Sequence, residues 1–361
     1  MVTMMQPWLK RIFPNTEAIW LGIILFVGFL LVISLSDMLA PVYASIVIAY
    51  LLQWIVTLLE KKIPHLWAVV IVFVGFLTLF LSFIFVMWPI VWRQTLHLVD
   101  ELPAMLNRLQ TLIYLLPDKF PEFFSEADVE TFTAETFNQF SRVAKNFLSA
   151  SLASIPNIIA FIVYLFLVPL LVFYFLKDKF IITRWSTAFL PEKKQLLKRV
   201  WNEVDGQIGN YVRGKAAEVI IIGSISFLCF SLLRLEYALL LSLGVGLSVL
   251  VPYIGAVAIT FPVILVALFQ WGWGADFAYV LIAYGVIQTF DAIVLVPVLF
   301  SEAVSLHPVA IIIAILFFGG VWGFWGVFFA IPLATLVKAV LSAWYETQNS
   351  LSAQAQSVKC L

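Results

Sequence analysis

The chain has 361 residues, of which 63% are hydrophobic and only 12% charged, whereas an average soluble protein is about 45–50% apolar and about 25% charged. This composition predicts an integral membrane protein and excludes a soluble or secreted one. The 21 Lys and Arg residues balance the 21 Asp and Glu residues, which argues against nucleic acid as a partner.

Six apolar runs are long enough to cross the hydrocarbon core of a bilayer, which is roughly 30 Å thick and takes about 20 helical residues. They are Ala18–Ser36, Leu39–Leu59, Leu66–Trp92, Ile155–Leu176, Ala216–Leu233 and Phe277–Phe300. The first run is of full spanning length and is not followed by a small-residue cleavage pattern. It is therefore predicted to be a retained helix and not a removed signal peptide.

Two further apolar runs, Tyr237–Gln270 and Pro308–Leu341, each hold 34 residues. One straight helix of that length would measure about 51 Å, whereas two crossings would need about 40 residues and a turn. Each run has helix breakers near its middle, namely Pro252 and Gly255 in the first and Gly319, Gly320, Gly323 and Gly326 in the second. The sequence predicts two re-entrant helical hairpins, and pairs of short crossings remain the alternative.

The basic residues agree with this path across the membrane. With a cytoplasmic amino terminus, 15 of the 21 Lys and Arg residues fall on the cytoplasmic side, as the positive-inside rule requires. Both termini are then cytoplasmic. Two full crossings in each long run would leave the chain ends on the same sides, so the charges do not decide between hairpins and crossings.

Two polar segments interrupt the apolar pattern. The first has apolar residues at helical spacing from Leu102 to Leu116, with Pro103 near a predicted helix start and Pro117 past its end. The second is rich in Lys and Arg and has an amphipathic stripe, which is typical of a helix lying against headgroups or binding a partner. The predicted organisation is a three-helix membrane segment (1–92), an extracytoplasmic helical element (93–154), a fourth crossing (155–176), a basic amphipathic cytoplasmic segment (177–215), a transport unit (216–344) and a flexible cytoplasmic tail (345–361).

Motifs for catalysis and for metal binding are missing from the sequence. It contains no His-Glu-x-x-His pair, no Gly-x-Ser-x-Gly elbow and no nucleotide-phosphate loop. The three histidines His65, His97 and His307 are far apart, and Cys229 and Cys360 form no metal or disulfide pattern. We therefore expect no enzyme activity, no cofactor and no built-in ATPase.

Asp291 is the most informative ionisable residue, because it lies a few residues past the centre of the run Leu281–Phe300. A carboxylate at that depth costs at least about 2.5 kcal/mol on insertion scales, and such groups are usually functional. Gln288 lies three residues earlier on the same helix face, and Pro297 weakens the helix six residues later. The alternative is that Asp291 has only a structural role, in hydrogen bonds between helices.

The glycines of the second long run have two interpretations. Gly319 and Gly323 have the small-xxx-small spacing of packed membrane helices, and the same glycines could form the tip of a hairpin. Two interrupted runs in one half of the chain favour the hairpin, because paired broken segments indicate a transporter site. The predicted substrate path consists of Pro252, Tyr253, Gly255, Gln288, Asp291, Pro297, Gly319, Gly320, Gly323 and Gly326.

Several of these residues belong to short motifs that occur in a fixed order. They are Val251-Pro252-Tyr253-Ile254-Gly255, Gln288 with Asp291 and Pro297, Leu306-His307-Pro308, Gly319-Gly320, Trp322-Gly323, Gly326 and Ile331-Pro332-Leu333. The set resembles the autoinducer-2 exporter family of bacterial membrane proteins, from the first helix to about Trp344. Phe175-Leu176-Lys177-Asp178-Lys179 and Tyr211-Val212-Arg213-Gly214-Lys215 are most similar to its PerM-like permease branch.

The resemblance implies a bacterial inner-membrane permease that forms a homo-oligomer and moves a small solute or ion. It also implies that Glu often stands where this chain has Asp291. The expected fold is an all-α polytopic protein with six crossings and two broken-helix hairpins. Within it, Ala216–Gln270 and Phe277–Leu341 have the order of an inverted repeat with opposite orientations, and their breaks are expected to meet near the midplane.

Three functions remain open at this point. The first is a secondary transporter or exporter of a small polar solute. The second is a sodium or other cation/proton antiporter that uses Asp291, although proton relays generally use chains of acids and histidines. The third is a non-transporting scaffold in envelope processes, which would not need broken helices.

Overall fold

The computed structural model describes residues 35–114, 155–188, 195–300 and 306–338. Within these ranges almost every residue is helical and no strand occurs, so the predicted all-α fold is confirmed. The predicted first crossing, apart from its last residues, lies outside the described residues. So do Pro117, the rest of the extracytoplasmic element up to residue 154, and the tail 345–361.

Eleven α-helices have defined bounds in this part of the chain. They are α1 (Ser36–Leu59), α2 (His65–Ser82), α3 (Trp88–Tyr114), α4 (Ile155–Lys177), α5 (Lys179–Ala188), α6 (Gln195–Leu232), α7 (Ala238–Ser248), α8 (Ile254–Trp271), α9 (Ala275–Phe290), α10 (Val296–Phe300) and α11 (Pro308–Phe328). Residues 330–338 are also helical. The widened turns Phe83–Met87 and Asp291–Leu295 are π-helical and join α2 to α3 and α9 to α10.

Six of the helical segments are long and apolar enough to cross a membrane. They are Met38–Leu59, His65–Thr111, Asp205–Leu232, Ile254–Trp271, Ala275–Phe300 and Pro308–Phe328. Four of them coincide with predicted crossings, and two are arms of the long runs. The predicted crossing at residues 155–176 is also helical, as α4. The protein is therefore a multi-pass membrane protein.

Some predicted helix boundaries differ from the structure. The predicted helix start near Pro103 is wrong, because the chain is helical without interruption from His65 to Tyr114 and Pro103 lies inside α3. The predicted crossing Leu66–Trp92 and the amphipathic segment that follows it form one continuous helix, so the chain does not break at residue 92. Proline removes one backbone hydrogen bond, yet the helix continues through Pro103, whose own side chain is exposed. Helix α6 likewise continues through the predicted boundary at residue 216.

The described residues belong to two compact units. The first unit is drawn from Met1–Phe73, Leu167–Ala216 and Val298–Leu361, and the second from Val74–Phe166 and Ala217–Pro297. The first long run, with α7 and α8, therefore belongs to the second unit. The second long run, with α11 and residues 330–338, belongs to the first unit, where it packs around a core of Ile311, Ala314, Ile315 and Ala330.

Candidate functional site

The first long run is broken where the sequence predicts. Helix α7 ends at Ser248 and α8 begins at Ile254, so the break contains Pro252 and Tyr253. Tyr253 has φ +63°, which is rare for a residue with a side chain, and its side chain is exposed. Helix α7 has 11 residues and spans about 17 Å, which is too short for a full crossing. The break therefore separates a short arm from an 18-residue arm.

The two arms fold back on each other, and Gln270 joins their outer ends. Its side-chain oxygen accepts a hydrogen bond from the Glu236 backbone N–H at 2.9 Å, and its side-chain nitrogen donates to the Arg234 carbonyl at 2.9 Å. At the other end, Gly255 lies so close to Ser248 that a Cβ atom would overlap the Ser248 carbonyl oxygen. The run thus forms a helical hairpin with a tight tip. That the hairpin is re-entrant stays a prediction.

Helix α3 holds the base of this hairpin through three side chains. The Tyr237 hydroxyl donates to the Glu101 carboxylate at 2.8 Å, and the Leu240 N–H donates to the Gln94 side chain at 2.9 Å. Arg108 donates to the Phe269 carbonyl at 3.3 Å. Burial, and next the bond to Glu101, raise the pKa of the Tyr237 hydroxyl above its ordinary value of 10.0. The hairpin is therefore anchored at its base and tightly closed at its tip.

A polar network connects α8 to α9 inside the apolar second unit. The Tyr284 hydroxyl lies 2.8 Å from the Thr260 hydroxyl and accepts a hydrogen bond from the Gln288 side-chain nitrogen at 3.0 Å. Thr260 also donates to the Ala256 carbonyl at 2.7 Å. The network therefore runs from the first turn of α8, beside the hairpin tip, to Gln288 near the end of α9.

Asp291 follows this network along the chain. It is half-buried and begins the π-helical turn Asp291–Leu295, three residues after Gln288. Widened turns of this kind are rare and frequent at functional sites. Tyr284, Gln288 and Asp291 recur at spacings of four and three residues, so they share one helix face. Pro297 lies farther along in α10 with an exposed side chain and is not part of the network.

The second long run has its break at Gly323. This residue has φ +59° and ψ −137° inside α11, a backbone conformation that is available essentially only to glycine. A Cβ atom on Gly326 would overlap the Phe318 carbonyl oxygen, and one on Gly319 would contact the Val327 side chain at 2.7 Å, whereas Gly320 faces open space. One of the four predicted glycines therefore makes the bend and two allow close approach.

Aromatic side chains surround this second break. Tyr43 of α1 contacts the Trp322 ring edge-on, with 4.9 Å between ring centroids, and the Trp325 ring at 5.7 Å. Phe329 stacks on both indoles, with centroid distances of 6.2 Å to Trp322 and 6.1 Å to Trp325. At the start of the same run, the Val309 N–H donates to the His307 ring at 3.3 Å, so His307 caps α11.

A comparison with known proteins decides the family. The family model described as "AI-2E family transporter" matches residues 19–346. The chain belongs to the AI-2E family. It is 44% identical over 349 residues to "Putative permease PerM" of Escherichia coli strain K12, which covers 96% of this chain and 99% of that protein.

Two more distant members of the AI-2E family also match most of the chain. "Putative transport protein YueF" of Bacillus subtilis is 23% identical over 317 residues, covering 85% of this chain and 84% of that protein. "Putative transport protein sll0063" of Synechocystis is 26% identical over 356 residues, covering 94% of this chain and 88% of that protein. The transporter family supports a role in transport.

Sequence reasoning missed several polar residues of this AI-2E protein. Tyr284 lies four residues before Gln288, so the helical spacing that singled out Gln288 and Asp291 would also have found it. Glu218 lies near the start of the predicted crossing Ala216–Leu233. Only the structure shows that it is 1% exposed and lies well inside the longer candidate span Asp205–Leu232. Thr260 and Tyr43 acquire their contacts only through packing, and no local pattern reveals those.

Proposed function

We propose that this protein is a secondary transporter of the bacterial inner membrane that exports a small polar solute. The observation that carries the proposal is the chain of hydrogen bonds from Ala256 through Thr260 and Tyr284 to Gln288, beside a broken helix and followed by Asp291. Polar groups at membrane depth are costly and usually line a substrate or ion path. The cytoplasmic termini and a homo-oligomeric state belong to the same proposal.

The proposed role of the broken runs is to supply backbone polar groups to the path. A helix break in hydrocarbon is tolerated where the freed N–H and C=O groups are buried in protein or line a cavity. We propose that the breaks at residues 249–253 and at Gly323 each line such a cavity, because paired broken segments are typical of transporter sites. In this proposal Pro252 and Gly255 shape the path in the second unit, where Gln288 and Asp291 bind the solute. Gly319, Gly323 and Gly326 shape the break of the first unit.

A cation/proton antiporter is the second candidate, and Glu218 favours it. This side chain is 1% exposed within the candidate span Asp205–Leu232. Glu218 and Asp291 are both acids within candidate membrane-spanning segments of the second unit, and acids are the residue type that proton-coupled carriers use. The two candidates differ in what must move, a polar solute or only ions.

Flux measurements on purified protein in proteoliposomes test both candidates. A panel of labelled neutral, acidic and basic solutes is assayed with and without sodium and pH gradients. We expect Asp291→Asn to reduce solute flux strongly and Asp291→Glu to reduce it less, because Glu keeps the charge. Asp276→Asn is the matched control, since Asp276 is exposed in the first turn of α9.

Each outcome separates the candidates. Solute flux that needs no sodium or pH gradient and is lost in Asp291→Asn supports the transporter. Sodium-driven proton movement without any solute, lost in both Asp291→Asn and Glu218→Gln, supports the antiporter. Full activity of Asp291→Asn would show that this carboxylate has only a structural role. It would also rule out an antiporter that uses Asp291. An inactive protein across the whole panel would contradict both candidates.

A further inference from the structure

Helix α1 and the second broken run each contain a buried polar atom that the surrounding protein leaves without a hydrogen bond. The Tyr43 hydroxyl and the Trp322 indole nitrogen are inaccessible to solvent, and neither has a hydrogen-bond partner among the residues that the structure describes. Tyr43 as a whole is only 9% exposed. Both residues belong to the first unit, and their rings are in edge-to-face contact.

Other buried or half-buried polar side chains of α1 do have partners. The Ser45 hydroxyl donates to the Pro41 carbonyl at 2.6 Å, and the Tyr50 hydroxyl donates to the Asp205 carboxylate at 2.5 Å. A buried tyrosine hydroxyl or tryptophan N–H normally finds a partner, and each exception in a native protein requires an explanation, such as a bound molecule. Two exceptions side by side, next to the bend at Gly323, point to a ligand.

The chemistry of the two groups restricts that ligand. The indole N–H can only donate a hydrogen bond, and the phenol can donate or accept. Neither residues 38–59 nor residues 308–337 contain an Asp, Glu, Lys, Arg or His. A charged ligand at these helices would therefore have no counter-charge from them, and an uncompensated charge at membrane depth is costly. The faces of Trp325 and Phe329 offer apolar contact.

We propose that Tyr43 and Trp322 form a binding site for an uncharged hydrogen-bond acceptor, namely an oxygen atom of a neutral polar solute. The tryptophan N–H and the tyrosine O–H both donate to that oxygen, and the aromatic rings contact the apolar part of the solute. The inference deepens the proposed transport function and rests on it only in treating the bound oxygen as part of a transported solute. At Tyr43 and Trp322 it assigns no role to a metal cation or a carboxylate.

Charge-selective thiol labelling tests the site without measuring transport. In full-length protein with Cys229→Ala and Cys360→Ala, either Tyr43→Cys or Trp322→Cys is exposed to three methanethiosulfonate reagents. These carry a neutral hydroxyethyl, a cationic trimethylammonium-ethyl or an anionic sulfonatoethyl group. We expect the neutral reagent to react more than about tenfold faster than either charged one, after normalisation to glutathione, because the site gives a charge no compensation. Ala330→Cys, in the fully buried core of the same run, should not react.

Three results would overturn the proposal. If a charged reagent reacts as fast as the neutral one, the site compensates a charge. If the cysteine is unreactive at both positions, the site admits only water or nothing. The third is thermal: Tyr43→Phe removes a hydroxyl that the protein does not satisfy, so its unfolding temperature should be no lower than that of the wild type. Tyr50→Phe, the matched control, breaks the bond to Asp205 and should unfold several degrees earlier. If Tyr43→Phe is equally destabilised, its hydroxyl is structural. This readout also applies if the cysteine variants do not fold.

Discussion

Gly255 packs directly against the carbonyl oxygen of Ser248, and no atom larger than hydrogen fits between them. This contact closes the tip of the first hairpin, because Ser248 ends one arm and Gly255 lies in the first turn of the other. The glycine is therefore required by close approach, and its own φ angle is not in the left-handed region. Any side chain at this position forces the two arms apart.

We expect Gly255→Ala to destabilise the protein by about 1–3 kcal/mol, or to prevent its folding, as overpacking does. Gly285→Ala is the matched control, since a Cβ atom on this helical glycine meets nothing within 4 Å. Replacing a helical glycine with alanine should stabilise by about 0.5–1 kcal/mol. Thermal unfolding in detergent, followed by tryptophan fluorescence, measures both variants. Equal unfolding temperatures would contradict the tight tip.

The second broken run offers the same comparison with a different pair. We expect Gly326→Ala to be destabilised, because its methyl group would overlap the Phe318 carbonyl oxygen, whereas Gly320→Ala has open space and should be neutral or slightly stabilised. Both glycines lie within helix α11, so the difference between the variants isolates the close contact. A Gly326→Ala variant as stable as Gly320→Ala would mean that the bend at Gly323 opens wider than the structure shows.

Alkaline pH should loosen the base of the first hairpin. The pKa of Tyr237 is raised in the folded protein, first by burial and then by its bond to Glu101. The neutral Tyr237 hydroxyl therefore contributes fully to the stability of the folded protein below the ordinary tyrosine pKa of about 10. This stabilisation is lost as the pH rises above that value. We expect the unfolding temperature of the wild type to fall more steeply above pH 10 than that of Tyr237→Phe. Parallel pH profiles would show that the hydroxyl makes no such contribution.

Labelling from the two sides of the membrane checks the predicted path of the chain. In a cysteine-free background, an impermeant maleimide should label Asn107→Cys only from outside and Lys179→Cys only from the cytoplasm, according to the positive-inside rule. Both side chains are exposed, so burial does not interfere. Permeabilised cells are the control, in which both cysteines should react. The reverse pattern would reject the orientation and the positions of both termini.

The local sequence predicted where the helices break. It did not predict helix continuity or contacts that depend on the packing of distant residues. Proline and glycine act on their own backbone, so Pro252 and Gly323 identified the bends without knowledge of any neighbour. Gly255, in contrast, is needed for its close contact with Ser248. The helical continuity around Pro103 could not be predicted from the sequence. The apolar run that ends at Trp92 and the amphipathic pattern from Leu102 to Leu116 each predict a helix of their own. The contact of Tyr43 with Trp322 joins residues far apart in sequence, and nothing in either neighbourhood indicates it.

The widened turn at Asp291–Leu295 has a consequence for the gene as well as for the helix. A π-helical turn holds one residue more than an α-helical turn, so it absorbs an insertion while the helix on either side keeps its rotational phase. Elsewhere in a spanning helix, one codon gained or lost rotates all later side chains by about 100°. Loss of a codon within 292–295 would leave the faces of α9 and α10 aligned. We therefore expect a one-residue change in length to disturb this helix least at this turn, directly after the acid that the path is proposed to use.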